Sequence, residues 1–73
     1  MEIKIRKIGE EHFMAHGYEY RAVTKVFFKD GSALTFSAKL SRKDAIFNAY
    51  YQKGRDAGMT VEEAAVFAGK GAV

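Results

Sequence analysis

The basic residues in the first half of the chain are the side chains whose types and spacing could form a binding site. Arg21 and Lys25 lie on the same face of one predicted strand, and Lys39 lies in the next strand. Because every second residue of a strand shares a face, all three can lie on one side of a sheet, with Phe27 among them. Lys4 and Arg6 join them if the first strand turns its isoleucines inward. The candidate partner-binding residues are therefore Lys4, Arg6, Arg21, Lys25, Phe27 and Lys39.

Such a face has three possible uses. Cations and hydroxyls beside an aromatic ring can hold the phosphates of a nucleic acid. The same groups can dock on an acidic protein surface, where Arg and aromatic residues often dominate the binding energy. The face can also be an ordinary solvated one, since antiparallel sheets commonly leave one side in water.

Metal chemistry and covalent catalysis find little support in the residues. His12 and His16 would share a face of a helix, but a zinc site needs further ligands and the chain has no Cys. Ser32, Ser37 and Ser41 fit a hairpin, an outer strand face and a helix cap rather than a nucleophile elbow. We predict no catalytic residue, no metal site and no cofactor, hence not an enzyme. A metal-dependent enzyme would have to use the two histidines.

Length and composition predict one small globular domain. The chain has 73 residues, of which 48% are hydrophobic and 29% are charged. The absence of Cys excludes a disulfide framework. The formal charge is +3, and nine of the twelve basic residues precede Asp44. No apolar run approaches the roughly 20 residues of a membrane helix. The first residues alternate charge with Ile, unlike a signal peptide, so we expect a cytoplasmic protein with no membrane partner.

Alternating apolar residues predict three strands, at 2–8, 18–28 and 33–40. The intervening segment 9–17 fits a loop, a helical turn or more of the sheet. A three-residue loop at 29–31, with Gly31 left-handed, pairs Val26 with Leu34, Thr24 with Phe36 and Tyr20 with Leu40. This register keeps one face apolar. It places Arg21 opposite Lys39 on the other face, with Val23 opposite Ser37, Lys25 opposite Thr35 and Phe27 opposite Ala33.

Two helices follow the strands. Ser41 with Asp44 indicates the start of an amphipathic helix that ends near Gly58, and Thr60 with Glu63 forms a fuller capping box. The second helix should run to about Ala68 and stop at Gly69. The predicted fold is α+β, with a small antiparallel sheet of about three strands followed by two short helices packed on one face. Residues 1–69 form the domain, 70–73 a flexible tail, and the predicted core is Val26, Leu34, Phe36, Ile46, Phe47 and Tyr50.

Residues 18–52 carry a local family resemblance. Tyr18-Glu-Tyr-Arg21, Lys29-Asp-Gly31, Leu34-Thr-Phe36 and Ser41-Arg-Lys-Asp-Ala45 resemble the strand–turn–strand–helix core of AP2-like arm-binding domains of phage integrases. Those domains read DNA with a three-stranded sheet. The resemblance implies that Arg21, Lys25 and Lys39 contact DNA. The chain departs from the pattern in lacking the usual tryptophan, in its distant first strand and in its second helix.

The size, the lack of a catalytic constellation and the basic face together favour a small non-enzymatic binding protein. We expect an inhibitor of host machinery from a phage or mobile element, of the anti-CRISPR type, which occupies a surface of a protein or protein–nucleic-acid complex. The alternative is a module that binds duplex DNA with its basic sheet face. Either protein could be a monomer or a small homo-oligomer.

Overall fold

The fold is a three-stranded antiparallel sheet followed by two helices. A computed structural model describes residues 3–15 and 19–71 of the chain. The sheet has the order β1-β2-β3, and the α+β prediction is confirmed. Neither described helix has the length and apolar character that crossing a membrane would need. The elements are β1 (Ile5–Ala15), β2 (Glu19–Phe28), β3 (Ala33–Phe36), α1 (Arg42–Asp56) and α2 (Val61–Gly71).

The ambiguous segment after Gly9 belongs to the sheet as far as Ala15. β1 therefore ends well beyond residue 8, the predicted limit of the first strand. Its backbone pairs with β2 from Gly9 opposite Lys25 to Ala15 opposite Glu19. Polar residues such as Glu10 are tolerated here because strand pairing satisfies the backbone whatever the side chains are. The β1–β2 hairpin is long, and the molecule is elongated, with extents of 41 × 22 × 22 Å.

A β-bulge near the start of β1 sets which of its residues face the helices. Ile5 pairs with Phe28, whereas Lys7 pairs with Phe27, so Arg6 is the extra residue. The alternation changes phase there, and both Ile5 and Ile8 pack against the core although they are three residues apart. The first strand thus turns its isoleucines inward, which was the condition for placing Lys4 and Arg6 on the outer side.

The predicted register of the second hairpin is confirmed for four pairs. Thr24 lies opposite Phe36, Lys25 opposite Thr35, Val26 opposite Leu34 and Phe27 opposite Ala33. The amide of Phe28 donates to the carbonyl of Ser32 at 2.9 Å, which closes a three-residue loop. Gly31 in that loop has φ of 94°, the left-handed conformation that the register requires.

The third strand is shorter than predicted. β3 ends at Phe36 rather than at residue 40, because a buried side chain diverts the chain. The Thr24 hydroxyl, in a residue only 1% exposed, donates to the Ala38 carbonyl at 2.9 Å and accepts from the Leu40 amide at 2.9 Å. These bonds fasten the loop to β2 in place of a strand ladder. The predicted pairs Tyr20–Leu40, Val23–Ser37 and Arg21–Lys39 are absent from the β2–β3 ladder.

Small residues bring α1 close to the sheet. Ala45 and Ala49, one turn apart, are fully buried against Val26 and Phe28, with Leu34 and Phe36 packed around them. Phe47 was predicted in this core, but its side chain is 37% exposed. The prediction was wrong because the helix turns its alanines, not its largest side chains, toward the strands. On the opposite sheet face Val23 is only 2% exposed, so that face is not uniformly open to water.

Both predicted helix caps are present. The Ser41 hydroxyl accepts from the Asp44 amide at 3.2 Å. Thr60 and Glu63 bond reciprocally, with the Thr60 hydroxyl accepting from the Glu63 amide at 3.2 Å and a Glu63 carboxylate oxygen accepting from the Thr60 amide at 3.0 Å. Hydrogen bonding by the Thr60 amide, and secondarily by the Thr60 side chain, lowers the pKa of Glu63. The predicted break between the helices is thus confirmed.

The two helices approach closely at Gly54. A Cβ at this position would lie 2.9 Å from the Met59 sulfur and 3.4 Å from the Cβ of Ala64, so glycine allows the contact. Ala64 and Ala68 supply the buried side of α2. α2 was predicted to stop at Gly69 but runs to Gly71, where the Tyr50 ring lies so close to the last turn that it would overlap a Cβ. Of the predicted tail, residues 72–73 lie outside the described residues.

Lys53 joins the hairpin turn to α1. Its ammonium lies 3.1 Å from an Asp30 carboxylate oxygen and 4.8 Å from the centroid of the Phe28 ring. Asp30 also accepts from the amide and hydroxyl of Ser32, at 2.9 and 2.6 Å. The Ser32 hydrogen bonds, followed by that of Lys53, lower the pKa of Asp30 from 3.8 to about 2.

The Thr24 hydroxyl should be a measurable part of the stability. Thr24→Val keeps the side-chain shape but leaves the Leu40 amide without its acceptor. We expect the free energy of unfolding in urea to fall by about 1–3 kcal/mol. Thr35→Val, on the exposed face of β3, is the control and should change it by less than about 0.5 kcal/mol. Equal effects of both substitutions would contradict this role of Thr24.

The Asp30 contacts predict acid sensitivity. A carboxyl whose pKa is lower in the folded chain stabilises it above the unfolded value, and this contribution disappears as the pH falls through the folded value. Wild type should therefore lose more stability than Asp30→Asn between roughly pH 4 and pH 2, measured by urea unfolding at each pH. Asp56→Asn, at an exposed carboxylate of α1, is the matched control for the loss of one acidic side chain. Parallel curves for wild type and Asp30→Asn would refute the assignment.

Candidate functional site

Two cations and one aromatic ring meet on the sheet face opposite the helices. The Arg6 guanidinium carbon lies 5.6 Å from the centroid of the Phe27 ring, and the Lys7 ammonium lies 5.5 Å from it. Both distances are within the range of cation–π attraction. The ring, half-buried at its β2 position, therefore has two positive charges within cation–π distance.

The strand geometry explains why these groups converge. Lys7 is the direct cross-strand partner of Phe27, and the bulge adds Arg6 beside it. The next outward position of β1 is Gly9, and the Phe27 ring lies beside it, 3.9 Å from where a Cβ would be. Aromatic residues commonly cover a glycine on a neighbouring strand in this way. Lys25, which pairs with Gly9, shares this face.

The basic groups continue around the free edge of β1 into a cleft of about 450 Å³. The cleft lies between this edge and α1. Its walls combine cations, apolar side chains and one phenol. The Tyr50 hydroxyl also accepts a long hydrogen bond of 3.4 Å from the Ile5 amide, which ties the helix to the strand edge. The lining residues are Ile5, Arg6, Lys7, Ile8, Arg42, Ile46, Tyr50 and Gly71.

The cations of the cleft are not neutralised by neighbouring carboxylates within the described part of the chain. Arg6, Lys7 and Arg42 form no ion pair there. Asp30, by contrast, is engaged by Lys53, and Glu10 lies 4.0 Å from Lys39. We use the name basic surface for Arg6, Lys7, Lys25, Phe27 and Arg42.

The structure brings together only some of the predicted residues. Arg6, Lys25 and Phe27 lie in the basic surface as predicted. Lys39 does not, because β3 ends before it and its ammonium lies beside Glu10, which pairs with Thr24 on the helix side of the sheet. Lys4 lies beside this region, and its carbonyl accepts from the Lys29 amide at 2.8 Å. The Arg21 backbone pairs with Phe13 of β1, and its side chain lies outside the described residues.

Sequence reasoning missed Lys7 and Arg42. Simple alternation from Ile3 and Ile5 assigns Lys7 to the inner face, and only the bulge reverses that assignment. The isoleucine at position 8, out of phase with the other two, was the available signal. Arg42 reads as the first residue of a helix, and nothing local indicates that this end of α1 faces the edge of β1.

The described residues contain no group of three metal-binding side chains. His12 lies in β1, a strand, so the helical spacing that would pair it with His16 does not apply to it. His16 lies outside the described residues. Comparisons of the chain with family models, curated proteins and solved structures find no match.

The contact between Lys7 and Phe27 can be measured by a double-mutant cycle. We expect Lys7→Met and Phe27→Leu to show a coupling of about 0.5–1 kcal/mol in the free energy of unfolding, the usual size of an exposed cation–π pair. The control cycle pairs Phe27→Leu with Lys70→Met on α2 and should give no coupling. A zero value in the first cycle would show that the ring does not hold the ammonium.

Proposed function

We propose that the protein is a non-enzymatic binding protein that uses the basic surface to occupy an acidic surface of a protein partner. The observation that carries the proposal is the convergence of Arg6, Lys7 and Arg42 without carboxylate partners in the described chain. Holding like charges together is unfavourable unless a counter-charge compensates them. An anionic partner provides that compensation on binding.

The shape of the cleft favours a protein partner over a uniform polyanion. Ile8, Ile46 and Tyr50 line it together with the cations. Protein interfaces commonly combine a buried apolar or aromatic centre with charged groups around it. A carboxylate carried next to an apolar side chain would match both parts of the cleft. A duplex backbone offers phosphates but no apolar group to fill the space beside Ile46.

Direct DNA binding is the second candidate. Its support is the sheet face opposite the helices. This face carries Lys25 and the group of Arg6, Lys7 and Phe27. Phosphate contacts from such a face would be independent of sequence and strongly salt-dependent.

Anti-CRISPR-type inhibition of host machinery by a phage or mobile-element protein remains a more specific proposal, which rests on small size and this surface.

The test compares two variants of equal net charge. Arg6→Gln with Lys7→Gln removes the centre of the basic surface, and Lys29→Gln with Lys43→Gln is the control. Each protein is first shown by circular dichroism to be folded. It is then used to capture proteins from a lysate, and is titrated into a labelled duplex of arbitrary sequence at low and high salt.

We expect wild type to capture a protein whose affinity for the first variant is about tenfold lower, equal to some 1.4 kcal/mol. The control variant should bind this protein as wild type does. Tight duplex binding that collapses at high salt and is lost in the first variant would instead establish the DNA-binding candidate. If both variants bind every partner as wild type does, the basic surface is not the binding site.

A further inference from the structure

The outward side of α2 carries an apolar groove that the basic surface does not involve. It has a volume of about 470 Å³. Val66, which lines it, is 59% exposed, whereas Ala64 and Ala68 on the other side of the helix are fully buried. Half-buried Met59 and Phe67 widen the apolar strip. The lining residues are Met59, Glu62, Glu63, Val66, Phe67 and Lys70.

Two of the three charged residues that line this groove, Glu62 and Lys70, are placed symmetrically with opposite sign, and the third, Glu63, is engaged by the Thr60 amide. Glu62 and Lys70 lie four residues before and four residues after Val66, one helical turn away in each direction. A second α2 running antiparallel, with its Val66 against the first, therefore brings Glu62 of each chain to Lys70 of the other. Isologous two-fold contacts require this kind of self-complementary surface.

We infer that the protein self-associates through α2, with two copies packed antiparallel about a two-fold axis at Val66. The occupant of the groove is a second copy of this chain. The apolar strip supplies the burial, and two Glu62–Lys70 pairs fix the orientation. Antiparallel packing also sets the opposing helix dipoles favourably. Because a single short helix buries little area, the dimer is weak and reversible, so it forms at high protein concentration.

Sedimentation of the intact chain over a range of concentrations tests the inference. Wild type should shift from the mass of one chain toward that of two. Val66→Glu places like charges at the two-fold axis and should weaken association by about tenfold or more. Val61→Glu is the matched control, because Val61 is a similarly exposed valine of α2, at 55%, outside the groove. It should associate as wild type does. Glutamate has a helix propensity at least equal to that of valine, so both variants should fold.

A charge swap tests the orientation. Glu62→Lys and Lys70→Glu should each weaken self-association, since each places like charges opposite one another. A mixture of the two variants restores both opposite-charge pairs and should dimerise as well as wild type. Monomeric wild type at every concentration, unchanged association of Val66→Glu, or no rescue on mixing would each overturn the inference. The first of these results would show that a second copy is not the occupant of the groove. None of them bears on the basic surface.

Discussion

The bulge at Arg6 is the constraint on which both the core and the basic surface depend. A regular β1 with Ile5 inward would turn Lys7 toward the helices and Ile8 toward water, which would bury a charge and expose an apolar side chain. The extra residue moves the alternation by one position. Ile8 then packs against the core, and Lys7 turns out to the Phe27 ring. The bulge thus allows Ile8 to be buried and Lys7 to be exposed, where a regular strand would do the reverse.

The helices contribute small residues to the core that the bulge serves. Ala45 and Ala49 bury α1 on the sheet, while Gly54 lets α2 approach α1. Close backbone approach lets these small helix residues pack densely against Val26 and Phe28 of the sheet. As a consequence, several aromatic rings lie at the periphery. Phe47 stacks on Tyr51 at 6.5 Å, and the Tyr50 ring meets the edge of Phe67 at 5.4 Å, where it joins the helices beside the cleft.

The parts of the fold that depend on local sequence could be predicted. The loop at 29–31 fixed the register of β2 with β3, and the hydroxyls of Ser41 and Thr60 marked the helix starts, because turn and cap chemistry act over a few residues. The end of β3 could not be predicted, since it depends on a hydrogen bond from Thr24 that spans 14 residues. Lys39 was misplaced for this reason. Likewise, the buried face of α1 depends on how closely it approaches the sheet, which the pattern of large apolar residues does not reveal.

The carboxylates of the described residues explain why Arg6, Lys7 and Arg42 form no ion pair there. Several of these carboxylates make structural contacts that hold them away from Arg6, Lys7 and Arg42. Asp30 closes the hairpin loop and binds Lys53, and Glu63 completes the capping box of α2. Glu62 adds negative charge at the start of the same helix, where the helix dipole favours it. A chain with only a small excess of basic residues can therefore still concentrate positive charge. The local field around Arg6, Lys7 and Arg42 follows from where the acidic residues are required, more than from the net charge of the chain.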